Sequence, residues 1–312
     1  MARRPADAHR RGDHRGAQGH HRAEPAGPLP LATVSPNPIS GRTLAHLRGV
    51  VQLAANALAE LLELLKRPVV PLDYLKCPLS PNSRAEVRAA RAHRPVLLHG
   101  WGPPGYSVSM AQVPEPALLQ ELALLSDTPY LSAHIGYDPR QDGELSPQGL
   151  LLRMRQSVEE LRRLTGLEVL LENLPFVPWG KRPRYLSDPE YIREVLEATG
   201  AALLLDLAHA RVAAYHRGEE IGAYLERMPL EQAVEIHVSG PRLEERGLRD
   251  RHQALSGPDY ELLEWAVRRT PRLKMLTLEY QGKNSTGGRG GPEVWLEQLE
   301  RLDALRHRLN HR

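Results

Sequence analysis

Six short apolar runs in this chain each end in a side chain that can hold a metal ion. They are PVLLHG ending at His99, YLSAHIG at His134, EVLLENL at Glu172, ALLLDLAH at Asp206 and His209, AVEIHVSG at His237, and KMLTLEY at Glu279. A loop pair, Asp250-x-His252, adds two more donors with the period-two spacing that points both side chains the same way in extended chain. The nine candidates are His99, His134, His209, His237, His252, Asp206, Asp250, Glu172 and Glu279, with no thiolate among them. Imidazole with carboxylate suits Fe, Zn or Mn. Nine such donors are too many for one ion. Bridging carboxylates at Glu172, Asp206 or Glu279, the candidate catalytic residues, would let them serve two or three. One buried His at a strand end is usually a satisfied core residue. Six such ends in a row are not, because burying so many ionisable groups together is costly unless cations compensate them.

The spacing says which elements carry these groups. The ends step through the chain at 99, 134, 172, 206, 237 and 279, about one βα unit apart each time. Short Leu- and Val-rich runs bounded by turn residues read as buried strands of a parallel sheet. Polar groups at the C-terminal ends of such strands are where a (β/α)8 barrel keeps its active site. The expected fold is therefore a single α/β (TIM) barrel over residues 30–312, preceded by a tail at 1–29 that reads as disordered.

In chain order, Leu31 to Ser35 reads as strand one and Thr43 to Lys66 as a long Leu/Ala helix. Val69 to Lys76 is strand two, with Pro71 marking it as irregular. Ser83 to His93 is a helix, Pro95 to Gly100 strand three, Ala117 to Leu125 a helix and Tyr130 to Ile135 strand four. The amphipathic stretch Gln148 to Thr165 precedes strand five at Glu168 to Leu174. Asp188 to Ala198 is a helix, Ala202 to Ala208 strand six, Ile221 to Arg227 a short helix and Ala233 to Ser239 strand seven. Pro241 to Gly257 reads as a long loop. The helix Asp259 to Arg269, strand eight at Leu273 to Tyr280 and the helix Pro292 to Leu309 complete the chain.

Composition limits the function. The chain has 312 residues, 41% hydrophobic and 25% charged, the profile of a soluble globular protein. No apolar run approaches the roughly 20 residues of a membrane span. The single cysteine, Cys77, excludes an internal disulfide and points to a reducing, cytoplasmic setting. It reads as a small packed residue rather than a reactive one. The formal net charge is +3, and residues 1–29 carry all of it. The remainder is formally neutral, which argues against nucleic acid as a partner. His46, His93, His216, His307 and His311 fall away from strand ends and read as surface residues. Lys181, Arg249 and Arg251 are cations available to an anionic substrate. There is no GxxxxGK[ST], no GxGxxG after a strand and no Gly-x-Ser-x-Gly elbow.

The order His99, His134, Glu172, Asp206-x-x-His209, His237, Asp250-x-His252, Glu279 resembles the xylose isomerase-like barrel superfamily. Within it, LLHGWG, LLENLP, TGAALLLDLAHARVAA, YLERMPLEQAVEIHVSG and LEY, between Pro95 and Glu279, look like the multinuclear non-heme iron oxidases of methanobactin-type peptide maturation. The resemblance implies a barrel holding two or three irons. It implies O2-dependent oxidation of a cysteine in a ribosomal peptide, often with a small peptide-presenting partner protein. The sequence departs from those oxidases at His209, where they tend to show Asn. The Asp-x-x-His form together with RDRHQALSGPDY is closer to the zinc-dependent apurinic endonucleases of the same superfamily. The sugar isomerase/epimerase group is a third relative.

Overall fold

A computed structural model describes residues 47–311 except 48, 68–69, 79–81, 101–106, 110–112, 114 and 283–289. The expectations for the tail at 1–29, for a strand at Leu31 to Ser35 and for His46 lie outside the described residues.

Eight parallel strands close into a barrel. They are β1 (Gln52–Asn56), β2 (Tyr74–Pro78), β3 (Val96–His99), β4 (Tyr130–His134), β5 (Glu168–Glu172), β6 (Ala202–Asp206), β7 (Ala233–Val238) and, after a two-stranded insertion, β10 (Met275–Leu278). Neighbours follow chain order, and β1 closes the ring against β10. The helices between them are α1 (Ala59–Leu64), α2 (Ser83–Arg91), α3 (Pro116–Ser126), α4 (Pro139–Asp142), α5 (Pro147–Thr165), α6 (Pro189–Thr199), α7 (Leu207–Arg217), α8 (Ile221–Arg227), α9 (Gly257–Val267) and α10 (Pro292–Asn310). The insertion is an antiparallel hairpin of β8 (Gly240–Glu244) and β9 (Gly247–Gln253).

Strand alternation sorts the interior into layers. A buried apolar cluster takes one residue from every barrel strand: Ala54, Tyr74, Leu97, Tyr130, Leu170, Leu204, Val234 and Met275. Two residues further along seven of the eight strands, on the same face by the period of two, the chain places Asn56, Lys76, His99, Ser132, Glu172, Asp206 and Thr277, while on β7 a register shift brings Glu235, one residue past Val234, to that layer. The floor of the barrel is thus hydrocarbon, and the layer above it is polar.

Three expectations change. Among the described residues, the stretch read as one helix from Thr43 to Lys66 contains β1, and its α-helical part is Ala59–Leu64. QLAAN has no β-branched residue, so its local propensity is helical. In the fold it is a strand of a ring covered on both faces, where burial outweighs propensity. The loop Pro241 to Gly257 is the β8–β9 hairpin. The run read as a strand to Ala208 ends at Asp206, and α7 begins at Leu207.

The floor makes a direct prediction. Leu170 is fully buried, and Leu170→Ala should cost about 2–5 kcal/mol. In a chain of this size the thermal midpoint should then fall by roughly 5–15 °C, measured by calorimetry. An unchanged midpoint would mean that the floor is not packed as described.

Candidate metal centre

The chemistry starts at Asp206, the last residue of β6 and the N-cap of α7. Its Oδ1 accepts the His209 amide proton at 2.7 Å and so starts the helix. Its Oδ2 is buried and has no hydrogen-bond partner. Asn173, just past β5, clamps the neighbouring backbone. Its Nδ2 donates to Asp206 O at 3.0 Å, and its Oδ1 accepts from Asp206 N at 2.8 Å. This places Glu172 and Asp206 side by side, 1% and 0% exposed.

Imidazoles converge on the pair. His99 Nε2 lies 3.2 Å and His134 Nε2 3.4 Å from Glu172 Oε2, and His209 Nδ1 lies 3.0 Å from Oε1. His237 Nδ1 is 3.8 Å from Asp206 Oδ2 and 3.4 Å from Glu279 Oε1. Three groups emerge: His99–His134–Glu172, Glu172–Asp206–His209 and Asp206–His237–Glu279. Each offers three donor atoms within 4.8 Å of one another. Glu172 belongs to two groups and so does Asp206.

Both oxygens of Glu172, Oδ2 of Asp206 and Nδ1 of His237 are buried without a hydrogen-bond partner. Buried polar atoms left unmatched are costly, and here they gather at one place. Divalent cations bound there would satisfy all of them, so the residues fit a metal centre.

The rings are oriented from behind. His99 Nδ1 donates to Ser132 Oγ at 2.9 Å, because that hydroxyl is itself committed to Leu98 O. His209 Nδ1 donates to Asn173 O at 2.9 Å, and His252 Nδ1 to Glu279 O at 3.1 Å. Such partners fix which nitrogen faces the cavity.

Asp250 and His252 come from β9. They stand outside the three groups but line the same cavity of about 360 Å³. Asp250 Oδ2 lies 2.8 Å from His252 Nε2 and 3.4 Å from His209 Nε2. Strand alternation is not what aims them, because His252 has φ +48°, in the left-handed region. The hairpin is tied to α7 by His216, whose Nε2 donates to Leu248 O at 2.9 Å and whose ring meets Trp179 and Tyr215 edge-on. His216 is therefore a half-buried structural residue, not a surface one.

Charges in the site are strongly perturbed. Burial, reinforced by Lys76, holds His99 well below its usual range, which keeps it neutral as a ligand must be. Burial opposes ionisation of Glu172, yet His134, His99, His237 and His209 hold its carboxyl well below the usual range. Burial pushes Asp206 up to about 7, with His209 pulling the other way and Glu172 and Glu279 pushing further. Burial opposes the charged form of His252, but Asp250 and Glu279 raise it to about 9.

Sequence reasoning missed a second polar set. Lys76 and Glu235 are 1% and 0% exposed and paired at 3.2 Å. The signal was present: Glu235 stands two before His237 in AVEIHV, and Lys76 closes its own run. The expected cations Arg249 and Arg251 are occupied elsewhere. Arg251 pairs with Glu244, and Arg249 lies 5.5 Å over the Trp179 ring. Lys181 is exposed. Among the described residues, the cations lining the cavity are Lys76 and Arg182. Cys77 packs in the core, where burial and then Glu86 push its thiol up to about 12.

The family model for the RiPP precursor modification enzyme MbnB/TglH/ChrH matches residues 69–284. The chain belongs to this family. It is 29% identical over 166 residues to a UPF0276 protein of Caulobacter vibrioides, a match covering 50% of this chain and 58% of that protein. The chain thus spans less than two thirds of that relative's length. Solved structures of similar fold include IolI protein with a binding zinc atom, with a TM-score of 0.56 and 12% identity, covering 82% of this chain and 98% of that one. A 3-keto-D-glucoside 4-epimerase from E. coli has a TM-score of 0.52 and 13% identity, covering 81% and 99%. At these identities the likeness concerns the fold alone, a xylose isomerase-like TIM barrel. Among the described residues, no helix is long and apolar enough to cross a membrane.

Two outcomes follow for metal binding. Chain stripped of metal should take up at least two divalent ions, raising its thermal midpoint, and Glu172→Ala should lose ions from both groups that share it. Uptake of a full complement by Glu172→Ala would exclude the bridging role. Uptake should also weaken on acidification. The Asp206 carboxyl sits near 7 without metal, so below that pH a proton competes for the oxygen. Apparent affinity should then fall by roughly tenfold per pH unit per proton displaced, measured by manganese titration at pH 5.5, 6.5 and 7.5. Equal affinity across that range would contradict a protonated Asp206.

Proposed function

We propose that this chain is an O2-dependent oxidase acting on a cysteine-containing peptide or small molecule, with two or three iron ions held by the His and carboxylate cluster. Membership of a peptide-modifying enzyme family supports the substrate class. The observation that carries the reading is the pair of shared carboxylates. Glu172 and Asp206 link three donor groups into one continuous set, as a multinuclear centre requires. Iron, when bound, supplies the redox couple that zinc lacks.

The chain's own residues supply the setting. His99, His134, Glu172, Asp206, His237 and Glu279 face inward from six different strands or strand ends, so the floor beneath them excludes water. His209, Asp250 and His252 close one side of the cavity. Pro78, Leu174 and Pro175 give it an apolar wall, while Asn56, Gln281 and Arg182 offer hydrogen-bond donors to a peptide backbone. A small partner protein that presents the peptide belongs to this reading.

The cluster of His209, Asp250 and His252 favours a second reading, a zinc-dependent phosphodiesterase of the apurinic endonuclease type. Protein isolated without oxygen separates the two. The oxidase reading expects bound iron, O2 consumption with a cysteine-bearing peptide, and a His209→Asn variant that retains activity within a few-fold. A chain that takes up only zinc, ignores O2, nicks abasic DNA and dies on His209→Asn would establish the second reading instead.

A further inference from the structure

Beneath the candidate ligands lies a fully buried carboxylate. Glu235 stands in β7 two residues before His237. All its contacts are to the protein interior: Thr277 Oγ1 donates to Oε1 at 2.5 Å, Lys76 Nζ lies at 3.2 Å, and Tyr130 Oη donates to Oε2 at 2.8 Å. His237 Nε2 lies 3.0 Å from Oε1, and Lys76 Nζ also touches that nitrogen. The other ring nitrogen, Nδ1, has no hydrogen-bond partner and looks toward Asp206 and Glu279.

These contacts divide the ring. A neutral imidazole that donates a lone pair from one nitrogen carries its proton on the other. If Nδ1 faces a cation, the proton sits on Nε2 and needs an acceptor there. The Lys76 ammonium has donors only, so with Nε2 protonated it turns its protons to Glu235 Oε1, and that oxygen is the neighbour of Nε2 that accepts. Ligating histidines elsewhere are held in this way by an outer carboxylate. A purely structural ion pair at this depth would be weakly justified, since a buried pair can often be exchanged for apolar side chains without loss of stability.

We propose that Glu235 is a positioning residue for the metal centre: it accepts the Nε2 proton of His237, turning Nδ1 toward Asp206 and Glu279 as a bare donor, with Lys76 as its counter-charge. The inference rests on the metal-centre reading and is independent of whether the reaction is an oxidation. It adds to the nine candidates a layer whose task is to choose the ligating nitrogen of His237.

The test uses the full chain stripped of metal and zinc alone as the probe, which is silent to redox chemistry. In the zinc-loaded native protein, nitrogen-15 NMR of the histidine rings should find the His237 proton on Nε2. The double variant Lys76→Met with Glu235→Leu removes both charges together. It should fold with a thermal midpoint near the native one and lose roughly 10–100-fold in affinity for one zinc ion, while the ion at His99, His134 and Glu172 stays. Glu235→Gln, which keeps an acceptor oxygen, should recover most of that affinity. A bare Nε2 in the loaded native protein, or native zinc affinity in the double variant, would overturn the proposal. Native chain that takes up no zinc would sink both this inference and the metal centre. Failure to consume O2 alongside the expected zinc results would remove only the oxidase.

Discussion

The structure depends on keeping two carboxylates, Glu172 and Asp206, out of water and next to each other. Removing one carboxylate from solvent costs several kcal/mol in a protein interior, and a second one beside it raises that cost. The barrel supplies only part of the compensation. Asp206 spends one oxygen on capping α7, and Asn173 clamps its backbone but gives nothing to its second oxygen. Burial pushes the Asp206 carboxyl up to about 7, with His209 pulling the other way and Glu172 and Glu279 adding to the rise. The convergence of imidazoles, the uncommitted atoms and the cavity above them all follow from that unresolved charge.

The layers of the barrel show how the arrangement is tolerated. The floor, with one apolar side chain from each strand, is ordinary core. On every barrel strand but β7, a step of two residues toward the C-terminal end exchanges hydrocarbon for hydrogen-bonding groups. His99 relies on Ser132, His209 on the Asn173 carbonyl and His252 on the Glu279 carbonyl. Every one of these partners sits on a different strand or strand end from the ring it holds. Ring orientation is therefore a property of the closed barrel, and no single segment could reproduce it.

Much of this was legible in the sequence. Strands ending in His or carboxylate at βα spacing announced both the barrel and the meeting of His99, His134, Glu172, Asp206, His237 and Glu279. The polar set beneath was harder to see. Lys76 and Glu235 sit inside otherwise apolar runs, and only the knowledge that both runs face one interior makes them partners across 159 residues. β1 was hidden by alanines whose local preference is helical. The hairpin was hidden because GPRLE and GLRDRHQ are half-exposed and carry little apolar alternation. His252 could not be aimed from period two, since its backbone leaves the strand region.

One backbone irregularity governs more of this chemistry than its size suggests. Between β6 and β7 the pairing advances one residue on β6, from Leu203 to Leu204, but two on β7, from Ala233 to Glu235. Val234 is the residue passed over, a bulge of the kind that bends and re-aims a strand. Because of it, adjacent residues both serve the interior: Val234 joins the hydrocarbon floor, and Glu235 enters the charged layer above. A regular strand would have to send one of them outward. Any redesign that straightened β7 would thus rewrite the site without touching a single donor atom, and grafting the nine side chains onto an idealised barrel would not transplant the centre.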